Sequence, residues 1–152
     1  MARPLIPPKY EAARTINDGT ALRVELPYPP SINHYWRHNS KRKGAPVYIS
    51  VEGKRYQHEV FYRLGIYTFK TLDIQRLSVR VAFYPRTKQE QDISNRIKVL
   101  EDCLQAIKIY CNDSQIDHLE IFRGRVVSGG RCVAIIEPLT KPLAIPPDLA
   151  IS

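Results

Sequence analysis

Asp92, Asn95, Lys98 and Asp102 recur at helical spacing, and Asn112-Asp113-Ser114 follows just past the end of that helix. Carboxylates are hard oxygen ligands for a divalent cation, and a lysine beside them offers a compact charge to a phosphate. Two acids that one helix can bring near each other, with an ammonium alongside, suit a centre that holds a metal against a phosphodiester. Singly, each residue has a plainer explanation. Asp92 or Ser94 is a good N-cap, and an acid there is favoured by the helix dipole. Asn112-Asp113-Ser114 is ordinary turn chemistry, and Lys98 reads equally well as a solvated lysine. Capping requires neither Asn95 nor Lys98, so the combination is more specific than its parts.

The element carrying these groups is a helix over residues 92 to about 108. At roughly 100° per residue, Ile93, Ile97, Leu100, Leu104 and Ile107 form one apolar stripe, which should face a sheet. The polar residues share a second stripe roughly opposite the first. Val99, Cys103 and Ala106 make a smaller apolar flank, read as a packing surface for another helix or a subunit. Residues 77–83 alternate cleanly as a strand, and residues 21–26 alternate until Pro27, Pro29 and Pro30 stop them. Ser50 is an expected N-cap for a helix reaching about residue 69, with Val51, Tyr56, Val60 and Leu64 toward the core. Residues 31–46 read as a polar, basic loop. Residues 116–127 and 131–136 read as a hairpin turned at Ser128-Gly129-Gly130. The expected fold class is α+β, a small mixed sheet with two principal helices packed on one face. Residues 1–20 read as an N-terminal arm, 21–138 as the functional domain, and 139–152 as a proline-punctuated apolar tail able to pack on the domain or on a partner subunit.

The chain has 152 residues, enough for one domain with a real core, and a formal net charge of +8. That charge favours polyanionic partners. No apolar run approaches a membrane span and no signal peptide is visible, so a cytoplasmic, nucleoid-associated protein is expected. Cys103, Cys111 and Cys132 are odd in number and lack CxxC spacing, which fits free thiols better than disulfides or zinc. Basic residues interleaved with aromatics form a candidate DNA surface: Tyr35, Trp36, Arg37, Lys41, Arg42 and Lys43 in the loop, Lys54 and Arg55 in the next helix, Arg86 and Lys88 before the catalytic one. An RNA-binding module and a histidine-based nuclease fit less well, since strand aromatics and a second histidine element are missing.

The run Asp92-x-x-Asn95-x-x-Lys98-x-x-x-Asp102-x-Leu104, followed by Asn112-Asp113-Ser114-Gln115-Ile116, resembles the signature of RusA-type Holliday-junction resolvases. Pro29-Pro30-Ser31-Ile32-Asn33 resembles the family's N-terminal proline-proline-serine segment, and Ser50-Val51-Glu52-Gly53 the start of its first helix. The similarity spans roughly residues 21–138. It implies a homodimeric, Mg²⁺-dependent endonuclease, with Mn²⁺ as a substitute ion, that nicks four-way DNA junctions symmetrically. It implies that Asp92 and Asp113 are the catalytic, metal-holding acids, Lys98 the catalytic lysine, and Asn95 a neighbour of the active site. A phage or prophage origin is left open.

Ser94 departs from the family pattern, which has a second aspartate there. A hydroxyl is a far weaker ligand for a hard cation. Three readings stay open: metal held with fewer charges, another acid as substitute (Glu90 or Asp117), or reduced activity. The last leads to the competing class, a branched-DNA-binding protein that no longer cleaves.

Overall fold

Leu77, Val79, Val81 and Phe83 point to one side of a central strand and are fully buried there. The computed structural model around that strand describes residues 16–17, 21–38, 44, 46–64, 72, 74–89 and 92–152. In chain order the elements are β1 (Ile16–Asn17), β2 (Leu22–Leu26), a single helical turn α1 (Ile32–Tyr35), β3 (Trp36–His38), β4 (Val47–Ile49), α2 (Val51–Leu64), β5 (Leu77–Tyr84), α3 (Ile93–Ala106), β6 (Ile116–Arg123) and β7 (Arg131–Pro138). Five strands form one sheet in the order β1-β2-β7-β5-β6. Only β5 and β6 pair in parallel, which requires a crossover, and α3 is that crossover. The fold is therefore α+β with a mixed sheet.

The core lies between one sheet face and the helices. The sheet gives Leu22, Val24, Leu26, Cys132, Ala134 and Ile136 besides the β5 residues. The helix α2 gives Tyr56, Val60 and Leu64, and α3 gives Ile97, Val99, Leu100, Cys103 and Leu104. The opposite face carries the ion pairs Arg80–Glu137 at 3.4 Å and Arg131–Glu25 at 2.9 Å, and His118 Nε2 lies 3.1 Å from Glu120 Oε1. Such exposed pairs add little stability.

Several expectations need correction. The 116–136 hairpin does not form: β6 and β7 flank β5 on opposite sides. The turn is real, with Gly129 and Gly130 at positive φ and Gly130 N–H donating to the Val127 carbonyl at 2.8 Å. It returns the chain to the far edge of β5 instead of to β6. Residues 31–46 are not simply a loop, because β3 and β4 pair antiparallel, Trp36 opposite Ile49 and His38 opposite Val47. Val51 is 76% exposed, and its expected core position goes to Gly53, which lies against the Tyr35 carbonyl. Ser50 does cap α2, its Oγ accepting from Gly53 N–H at 2.9 Å. The flank of α3 faces helices of the same chain. Val99 and Cys103 are fully buried, α1 and α2 pack on α3, and the Cys103 sulfur lies near the Tyr35 and Tyr56 phenols. Ala106 alone of that flank is exposed. At the N-terminus the sheet starts inside the segment read as an arm, with Ile16 opposite Arg23. At the C-terminus Leu139 is half-buried and its N–H donates to the Arg76 carbonyl at 2.8 Å, while Leu143, Ile145, Leu149 and Ile151 beyond it are exposed. All three cysteines are free. Among the described residues no helix is long and apolar enough to cross a membrane.

Candidate active site

Asp92 is the N-cap of α3. Its Oδ1 accepts from Ser94 N–H at 2.9 Å and its Oδ2 from Asn95 Nδ2 at 3.0 Å. An acceptor there satisfies a backbone donor that the helix leaves open, so the sequence Asp-x-Ser-Asn dictates this local geometry. Asn95 thus fixes the Asp92 carboxylate, and its Oδ1 lies outside that bond.

Two turns along, the same polar face bears Lys98. Its ammonium donates to Asp102 Oδ1 at 3.0 Å and to Asp113 Oδ2 at 3.1 Å. Burial alone would draw the ammonium down, but the hydrogen bonds to Asp102 and Asp113 outweigh it and hold the pKa above the ordinary lysine value. Glu101, half-buried beside these groups, is pushed up by burial and by the negative charges of Asp113 and Asp102, with Lys98 opposing.

Asp113 begins a short 3₁₀ turn, Asp113–Gln115. Asn112 Oδ1 accepts from Ser114 N–H at 2.9 Å. Gln115, buried, accepts from Cys111 N–H at 2.8 Å and Asn112 N–H at 3.0 Å. Its amide donates to the carbonyls of Leu72 at 3.0 Å and Gln75 at 2.8 Å. Gln105 Oε1 accepts from Asp113 N–H at 3.2 Å. The turn is therefore pinned to α3 on one side and to residues 72–75 on the other. The sequence reading missed Gln105 and Gln115 as positioning groups; Gln115 stands three residues after Asn112, the spacing of a capping box that could have found it, while Gln105, eight residues before Asp113, carries no local signal. It placed Asp102 on the polar face without giving it a role.

Asp92 and Asp113 are both presented by α3 or the turn fixed to it, yet they bond to different partners. Asp117 is taken by Arg76, whose Nε lies at 2.9 Å and whose Nη2 also contacts it, while the same Nη2 donates to the Ser114 carbonyl at 2.8 Å. The hydrogen bonds from Arg76 hold the Asp117 carboxyl below its usual range. Through Arg76, Asp117 therefore braces the Asp113 turn. Glu90 lies outside the described residues. Ser94 uses its backbone N–H on Asp92.

Among the basic and aromatic candidates, Tyr35 needs correction. It is 1% exposed, its phenol pushed up by burial, and it cannot meet DNA. Trp36 is half-buried, packed edge-on against Tyr35 at 5.4 Å. Arg37, Lys54, Arg55, Arg86 and Lys88 are exposed. Arg55 and Arg86 line one hollow of about 470 Å³ with Tyr28, Pro30 and Glu52. Lys41, Arg42 and Lys43, in the connection from β3 to β4, lie outside the described residues. The proline segment is tied to α3 by Arg96, which donates to the Pro29 carbonyl at 2.6 Å and lies 5.0 Å above the Tyr28 ring.

The donor set suits a hard cation. Asp92, Asp102, Asp113 and the Asn95 carbonyl are oxygen ligands, and the Lys98 ammonium already stands between two of the carboxylates as a cation would. Among the described residues no three acidic, histidine or cysteine side chains gather closely enough to hold a metal ion by themselves.

Residues 27–136 match the sequence model of the family described as Endodeoxyribonuclease RusA. The crossover junction endodeoxyribonuclease rusA of Enterobacteria phage HK97 is 34% identical over 106 residues, covering 70% of this chain and 85% of that protein. The enzyme of the same name from Enterobacteria phage 82 is 30% identical over 111 residues, 71% of this chain and 87% of its own. That of Escherichia coli K12 is 29% identical over 111 residues, with the same coverage. With the signature residues gathered on α3 and the turn beyond it, the chain belongs to the RusA family of endodeoxyribonucleases.

Proposed function

We propose that this protein is a Mg²⁺-dependent resolvase of four-way DNA junctions, acting as a homodimer. The observation that carries the reading is the polar face of α3, where Lys98 spans Asp102 and Asp113 beyond a carboxylate fixed at the helix start. Asp92 and Asp113 would hold the ion, with Mn²⁺ as a substitute. When bound, Mg²⁺ lowers the pKa of a water and stabilises charge on the phosphate.

The chain's own residues do the rest. Asn95 Nδ2 and Ser94 N–H fix the Asp92 carboxylate against the first turn of α3. Gln105, Gln115 and Arg76 hold the Asp113 turn. Lys98 supplies positive charge to the phosphate or the leaving oxygen, where an electrostatic contact gains most as negative charge develops. Its hydrogen bonds to Asp102 and Asp113 favour the charged form. Arg37, Arg55, Arg86 and Lys88, with Lys41, Arg42 and Lys43, contact backbone phosphates and set affinity instead of sequence. A two-fold dimer suits a substrate that needs paired cuts.

The second reading, a branched-DNA binder without cleavage, is favoured by Ser94, which leaves the helix start one carboxylate short of the family pattern. Incubating a synthetic four-way junction with and without Mg²⁺ separates the two. Paired, symmetric nicks only with the ion support the resolvase. Tight junction binding with intact strands under both conditions would establish the second reading, and no binding would refute both.

A further inference from the structure

We propose that a hollow beside the acid cluster is a nucleotide subsite, taking an unpaired base and its phosphate next to the bond to be cut. The proposal rests on the resolvase reading and adds a site to it. The hollow, about 720 Å³, is lined by Trp36, Asp102, Gln105, Lys108, Tyr110 and Cys111 among others. Its size lies within the usual range for ligand sites, roughly 300–1,000 Å³. It adjoins the acid cluster through Asp102, one of the two carboxylates that Lys98 contacts. Its wall includes Gln105, whose Oε1 already accepts from Asp113 N–H, leaving the Gln105 amide N–H groups as donors.

Lys108 is the sharpest feature. Its φ is +63°, and it is the only non-glycine residue with positive φ among the described residues. It stands just past α3, with Lys108 N–H donating to the Gln105 carbonyl and Ile109 N–H to the Leu104 carbonyl, both at 3.0 Å. Glycine is the ordinary occupant of such a helix end, because a Cβ there is strained. Among the described residues no carboxylate pairs with the Lys108 ammonium. A lysine past the end of α3 gains modestly from the helix dipole, and it also sets a positive charge at the rim of the hollow. Trp36 supplies the apolar wall, an indole held by its edge contact with buried Tyr35. An aromatic surface with an ammonium and amide donors matches a base with its attached phosphate; stacking on an aromatic tolerates any base.

Trp36 is the only tryptophan in the chain, so its emission reports on this hollow alone. Titration with a four-way junction in the absence of divalent metal, with complex formation followed in parallel by gel shift, should quench that emission as binding saturates. Lys108→Gly should keep or raise the unfolding midpoint while weakening junction affinity about tenfold. Saturated binding with unchanged Trp36 emission, or unchanged affinity in a folded Lys108→Gly protein, would overturn the subsite and leave the resolvase reading standing. Absence of any junction binding by the wild-type protein would overturn both.

Discussion

Lys98 sits between two carboxylates, and this decides what it can do. Its folded-state pKa is raised, so the charged form is favoured by folding. That contribution is complete below the unfolded lysine value of about 10.4 and is lost only as pH rises through the still higher folded value. Across about pH 6 to 9 the group therefore does not titrate. Lys98→Met should lower the rate of junction cleavage about 10²- to 10³-fold, the scale of losing one charge-stabilising donor. The shape of its pH–rate profile in that range should match the wild type. A limb of the profile that vanishes with Lys98 would show that the lysine titrates there and is a proton carrier. At this scale Asp92, Asn95, Lys98 and Asp113 stood out in the sequence because capping and turn chemistry explain some of them but not all, and the structure sets them on α3 and the turn beyond it. Gln105 did not stand out, since its role depends on a backbone group brought close only by the fold; Gln115 has a capping-box spacing from Asn112, but its bonds to the Leu72 and Gln75 carbonyls needed coordinates. Tyr35 was misread because a proline-flanked aromatic pair does not reveal which ring turns inward.

Between elements, the packing of α2 on α1 is set by Gly53. A Cβ at this position would lie 2.7 Å from Ile49 Cγ2 and 2.9 Å from the Tyr35 carbonyl oxygen. That oxygen cannot yield easily, because it accepts from Ser50 N–H at 2.8 Å. Alanine in place of helical glycine ordinarily gains about 1 kcal/mol, whereas overpacking costs roughly 1–3 kcal/mol. Gly53→Ala should therefore destabilise by up to about 2 kcal/mol in urea unfolding, and a higher midpoint would contradict this packing. Elements with local signals were readable: β5 by its alternation, α3 by its stripe and cap, the start of α2 by Ser50. The error over β6 and β7 has a physical source. Two strands joined by a Gly-Gly turn look adjacent, but here β5 lies between them, and parallel pairing of β5 with β6 leaves no local mark. The breadth of the buried arc on α3 arises likewise, from α1 and α2 both covering it.

On the scale of the molecule, a net charge of +8 on 152 residues predicts salt-sensitive affinity for DNA. Replacing Lys41, Arg42 and Lys43 together by serine should flatten the slope of log affinity against log salt by up to about 3 units, near 0.9 for each phosphate no longer neutralised. An unchanged slope would remove that segment from the interface. Domain class and the mixed sheet with helices on one face followed from patterning, while the closed-off flank of α3 and the exposed tail needed coordinates. The central claim is that Asp92 and Asp113, presented by one helix and the turn fixed to it, act together on one phosphodiester. The most direct measurement is cleavage and binding of a four-way junction by Asp92→Asn and by Asp113→Asn in Mg²⁺. Each variant should bind the junction as tightly as the wild type and leave its strands intact; normal cleavage by either would contradict the claim.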